Sequence, residues 1–81
     1  MTYSKLQKKN AKQLKTFLYN YRWNKRDIVE FLFDYYSYLY TYLPDDRPIL
    51  KNNLEKMSFE KLCEDYHDDV IDFIWEELCA I

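Results

Sequence analysis

The sequence predicts an all-α fold: a small three-to-four-helix bundle, one domain over residues 1–81. Three observations predict it. The chain has no glycine, so tight glycine hairpin turns and backbone cradles for phosphate are unlikely. Apolar residues recur at i, i+3 and i+4 through most of its length. The two prolines, Pro44 and Pro48, bracket a single polar turn. A chain this short buries only ~60–65% of its unfolded surface. Large side chains offset that thin core, and 16 of 81 residues are aromatic: nine Tyr, five Phe and two Trp.

The first helix is expected over about residues 4–19. Ser4-Lys5-Leu6-Gln7 reads as a capping box. Leu6, Leu14, Phe17, Leu18 and Tyr21 follow on one stripe, with the lysines mostly off it. Asn20 and Asn24 are the natural left-handed residues at its end when glycine is missing.

The second helix is expected over about residues 25–43, with Asn24 as its cap and Asp27 at the positive end of the dipole. Ile28, Phe31, Leu32, Tyr35, Leu39 and Tyr42 form one apolar stripe. Val29, Phe33, Tyr36, Tyr40 and Leu43 form a second. Glu30, Asp34, Ser37 and Thr41 are left as a narrow polar strip. A helix apolar nearly all round is either central or offers its second face to a partner. The alternation of Tyr36, Tyr38, Tyr40 and Tyr42 also permits a strand, but the helical period starts earlier and runs longer.

Pro44-Asp45-Asp46-Arg47-Pro48 is the turn. Asp46 is available as a cap, and Pro48 suits the first turn of a third helix over residues 48–56. Ile49, Leu50, Leu54 and Met57 are its inward set. Ser58 caps a fourth helix over residues 59–79. Its apolar stripe is Phe59, Leu62, Cys63, Tyr66, Val70, Phe73, Ile74 and Leu78.

Charge divides the chain. Residues 1–26 carry eight basic side chains and no acid, whereas residues 27–81 carry four basic side chains and all fourteen acids, a balance of −10. One reading is structural: the basic helix packs beside the acidic one and the charges pair. The other is an electrostatic role for one end.

Chemistry is sparse. The one histidine, His67, forms Glu-x-x-His with Glu64. Di-iron bundles use two such motifs and further glutamates, so no metal is expected and His67 reads as exposed in an acidic stretch. Ser4 and Ser58 read as caps and Ser37 as part of the polar strip. No cofactor or catalytic residue is assigned, and the chain is not expected to be an enzyme. Cys63 and Cys79 have no zinc spacing and read as reduced core residues of a cytoplasmic protein. The lysine-rich start has no apolar signal region, and no stretch is long enough to span a bilayer.

Three surfaces are candidates for binding. The first is an acidic face of the last helix: Glu60, Glu64, Asp65, Asp68, Asp69, Asp72 and Glu76. Spread along roughly five turns, these carboxylates are suited to imitate a nucleic-acid backbone and dock into a basic groove. The second is aromatic: Trp23, Tyr36, Tyr40 and Trp75, suited to a protein partner or a homodimer. The third is basic: Lys8, Lys12, Lys15, Arg22, Lys25 and Arg26, interleaved with Tyr19, Tyr21 and Trp23, as a nucleic-acid footprint would be. Against it stands a pI of about 5.3.

The function expected is therefore a non-catalytic protein-binding inhibitor or adaptor acting through the acidic face and the tyrosines. The alternative is a small nucleic-acid-binding regulatory module. In composition the Lys-, Asn- and Tyr-rich chain is similar to small accessory proteins of phages and mobile elements. That likeness implies an inhibitor of a host defence enzyme, an antitoxin or an immunity protein, and a defence nuclease such as a CRISPR effector is the sort of target the acidic face suits.

Overall fold

A computed structural model describes residues 2–39 and 46–79. Every regular element among them is a helix: α1 (Tyr3–Gln7), α2 (Ala11–Asn20), α3 (Lys25–Leu39), α4 (Arg47–Lys56), α5 (Phe59–Asp65) and α6 (His67–Cys79). The fold class is all-α as expected. The three-to-four-helix count is corrected to six helices among the described residues, because both long outer helices break.

The break between α1 and α2 has a reason in the sequence. A continuous helix would put Asn10 between Leu6 and Leu14 on the buried stripe, leaving a polar side chain without partners. Instead Asn10 is extended and starts a new helix. Its Oδ1 accepts from the Gln13 amide at 2.9 Å, and its own amide donates to Gln13 Oε1 at 2.9 Å. This is the capping box of the region, and Ser4–Gln7 is not. Ser4 lies inside α1, which Thr2 caps by accepting from the Lys5 amide.

The break between α5 and α6 falls at Tyr66, with φ −114° and ψ 37°. It rotates the following face, so that Ile71, absent from the expected stripe, is fully buried beside Val70 and Ile74. The two broken helices run antiparallel. Tyr3 meets Asp72 and Trp75, His67 meets Lys9, and Tyr19 meets Phe59. Thus α1 packs on α6 and α2 on α5, with the two breaks at the same level.

Other termini match the sequence more closely. Asn24 and Asp27 cap α3 reciprocally at 2.9 and 3.1 Å. Ser58 Oγ accepts from the Lys61 amide at 3.1 Å. At α4, Pro48 lies in the first turn as expected, but Asp46 makes no capping bond. Arg22, not an asparagine, is the left-handed residue, with φ 65°. Around it the Trp23 amide donates to the Leu18 carbonyl and the Arg22 amide to that of Tyr19. That is a Schellman closure of α2 with arginine where glycine is usual.

The core joins Leu6, Leu14, Leu18, Ile28, Leu32, Leu54, Leu62, Cys63, Val70, Ile71 and Ile74, all at most 1% exposed. Each such aliphatic residue contributes ~1.5–3 kcal/mol by leaving water. The hub is α6, which meets α1, α3 and α5. The expected central role of α3 is thereby corrected. Its buried residues are Ile28, Val29 and Leu32, while Tyr35 is exposed and Tyr38 is 86% exposed. Helix α3 continues through Leu39, which excludes a strand there. Tyr40, Thr41, Tyr42, Leu43, Pro44 and Asp45 lie outside the described residues. Ile49 and Tyr21, assigned to buried stripes, are exposed. Ile49 lies off the Leu54 side of α4, and Tyr21 already belongs to the α2 closure.

Candidate functional site: the acidic face

The seven predicted carboxylates divide between α5 and α6. Glu60, Glu64 and Asp65 stand on α5; Asp68, Asp69, Asp72 and Glu76 stand on α6. The break at Tyr66 means that they do not form one straight row. Six are exposed and Asp69 is half-buried.

Three of the seven are engaged by neighbouring helices or within α5. The Tyr36 hydroxyl donates to Asp69 Oδ2 at 2.5 Å, joining α3 to α6. The Tyr3 hydroxyl donates to Asp72 Oδ1 at 2.6 Å, joining α1 to α6. Donating that bond to Asp72, with partial desolvation and the nearby Asp72 and Asp68 charges, keeps the Tyr3 phenol above its ordinary pKa. Lys61 pairs with Asp65 at 3.2 Å across one turn, and that pairing holds the Lys61 ammonium above its ordinary pKa. Asp68 stands 3.7 Å from the His67 ring, and its side chain is 93% exposed. Among the described residues Glu60, Glu64 and Glu76 form neither hydrogen bonds nor ion pairs.

His67 is half-buried, not exposed. Its Nε2 lies 2.5 Å from the Lys9 carbonyl oxygen. A carbonyl only accepts, so this nitrogen carries the proton. Nothing in this arrangement resembles a ligand set. Among the described residues no three His, Cys, Asp or Glu side chains converge as metal ligands would. Cys63 is buried and free, and burial pushes its thiol up to about 11. A thiol so placed is a poor nucleophile.

The aromatic candidates are mostly packing residues. Trp23 is half-buried and edges onto Phe73 at 5.2 Å. Trp75 is half-buried against Tyr3. Tyr36 is half-buried and hydrogen-bonded. Its assignment to an exposed patch is corrected, and Tyr40 lies outside the described residues. The open tyrosines are instead Tyr19, Tyr21, Tyr35 and Tyr38, at 39–86% exposure. Tyr38 was the one legible in the sequence, because it falls on neither apolar stripe of α3.

The basic candidates are scattered over two regions. Lys8, Lys12 and Arg22 are exposed around α2, where Lys9 also rests over the Phe17 ring. Lys15 is half-buried toward α5, close enough to act on the Cys63 thiol. At the start of α3, Lys25 Nζ donates to the Glu55 carbonyl at 2.6 Å, and Arg26 Nε pairs with Glu30 at 3.3 Å. Tyr21 stacks on both Phe17 and Trp23, at 4.8 and 5.7 Å, so its faces are taken and do not offer a platform for bases.

One expectation about charge is overturned. The basic segment does pack against the acidic helices, yet no ion pair joins residues 2–26 to α5 or α6 among the described residues. No family model, curated protein or solved structure matches this chain. No described helix is long and apolar enough to cross a membrane.

Proposed function

We propose that this chain is a non-catalytic protein-binding inhibitor or adaptor, and that its acidic α5–α6 face makes the contact. One observation carries the reading. Glu60, Glu64, Asp68 and Glu76 are open to water; among the described residues Glu60, Glu64 and Glu76 form no ion pair and Asp68 has only the His67 ring nearby as an ion-pair partner, although the basic helix α2 packs directly behind α5. Unpaired charge of one sign repels itself and weakens the compact state. The same charge steers a partner of opposite sign and raises the association rate. The partner such a face fits is a protein with a basic groove, as in nucleic-acid enzymes. A host defence nuclease, such as a CRISPR effector, is a target of that kind, and phage or mobile-element origin would agree with it.

Asp69 and Asp72 hold the fold through Tyr36 and Tyr3, so they are unsuitable as probes of binding. The test uses Glu64→Lys, Asp68→Lys and Glu76→Lys together. The triple variant should keep the helical signal and lose capture of basic nucleic-acid-binding proteins from a bacterial lysate. Capture of the same proteins by the triple variant would remove the acidic face from the account.

A further inference from the structure

A cleft of about 560 Å³ opens where the end of α2, the start of α3 and the flank of α4 meet. Its size falls within the ~300–1,000 Å³ usual for small-molecule sites. It shares no residue with the acidic face. We propose that this cleft binds a phosphorylated nucleoside, with Tyr19 as the stacking surface and Arg26 and Lys51 as the phosphate-binding cations.

The residues lining it divide by chemistry. Val29, 3% exposed, gives an apolar floor. Tyr19 is 55% exposed. Its ring meets Phe59 edge to face at 5.2 Å, and no other ring packs on it. Unlike Tyr21, it therefore keeps a face for a planar ligand. A base stacks on such a ring whatever its sequence identity, because every base has a π-face.

The cations are differently committed. Lys25 is anchored on the Glu55 carbonyl, which fixes that wall of the cleft. Arg26 uses Nε on Glu30 and keeps the N–H groups of its terminal nitrogens, the fork that suits phosphate. Among the described residues Lys51 has no carboxylate partner; its Nζ lies over the Phe33 ring, 5.8 Å from the centroid. The Glu55 carboxylate also forms no ion pair among the described residues and is a suitable acceptor for ribose hydroxyls. An aromatic face, two available cations and a hydroxyl acceptor around one cleft match a nucleoside phosphate better than a purely apolar ligand or a simple anion.

The shared chemistry has two sources, a free mononucleotide or the 5′-phosphorylated end of a single strand. Isothermal titration with AMP, adenosine, inorganic phosphate and a 5′-phosphorylated hexanucleotide separates them. AMP is expected to bind at least about tenfold more tightly than adenosine or inorganic phosphate. Lys51→Ala and Arg26→Ala should each weaken AMP about tenfold. Tyr19→Leu should do the same, while Tyr19→Phe restores binding. Hexanucleotide binding well above that of AMP, lost with Tyr19→Leu, assigns the cleft to strand ends; equal affinities assign it to the free nucleotide. No heat from AMP or hexanucleotide at millimolar concentration would overturn the proposal, as would binding indifferent to Lys51→Ala and Tyr19→Leu.

Discussion

His67 Nε2 lies 2.5 Å from the main-chain oxygen of Lys9, where both outer helices break. Lys9 follows α1 and His67 begins α6, so this bond fastens one break to the other. It gives an acceptor at the end of α1 a partner that the helix itself cannot supply. His67→Ala should lower unfolding stability by about 1 kcal/mol, read from urea denaturation at pH 7. His67→Gln, which keeps a donor, should recover part of the loss. An unchanged midpoint for His67→Ala would mean that the breaks are held by packing alone.

Arg22 holds φ at 65° without the freedom of glycine. The left-handed region costs a side-chain-bearing residue about 1 kcal/mol. Arg22→Gly should therefore stabilise the protein by up to that amount, with the denaturant midpoint moving upward. A loss of stability instead would assign the arginine side chain a contact that offsets its backbone conformation.

The Tyr36–Asp69 bond joins α3 to α6 across 33 residues of chain. Tyr36→Phe and Asp69→Asn should each destabilise, and a double-mutant cycle should show a coupling of about 1 kcal/mol. Additive effects would show that the bond contributes nothing beyond packing.

Much of the fold was legible in the sequence, and the misses have physical causes. Asn24 and Ser58 are legible as caps because the side chain and its target amide are three residues apart. The breaks are not, because an asparagine on an apolar stripe reads equally as a tolerated polar residue or as a new cap. Missing the second break also hid Ile71, whose burial depends on the rotation at Tyr66. At the site, exposure of Glu60, Glu64, Asp68 and Glu76 followed from their positions off the stripe. The engagement of Asp69 and Asp72 did not, since Tyr36 and Tyr3 approach from distant helices. The cleft at Tyr19 joins α2, α3 and α4 and leaves no local pattern.

Alkaline pH should destabilise the protein. Burial moves the Cys63 thiol from an ordinary 9.0 to about 11, so the folded state holds its proton longer than the unfolded state. A raised folded pKa gives stability that is complete below about 9 and lost as pH climbs toward 11. The Tyr3 phenol, raised by its bond to Asp72, acts in the same direction. Thermal midpoints should fall between pH 9 and 11, and a Cys79→Ser variant should react slowly with a thiol reagent at pH 8. Rapid reaction would place the Cys63 thiol in contact with solvent.

On the proposed function, the exposed carboxylates of α5 and α6 are a binding surface. The direct measurement compares the wild-type chain with the Glu64→Lys, Asp68→Lys, Glu76→Lys variant as baits, each matched for helical content and thermal midpoint, by quantitative capture from bacterial lysate across a salt series. The wild-type chain alone should retain basic nucleic-acid-binding proteins and release them as salt rises. Equal retention by both baits, or retention by the wild type that salt does not alter, would contradict it.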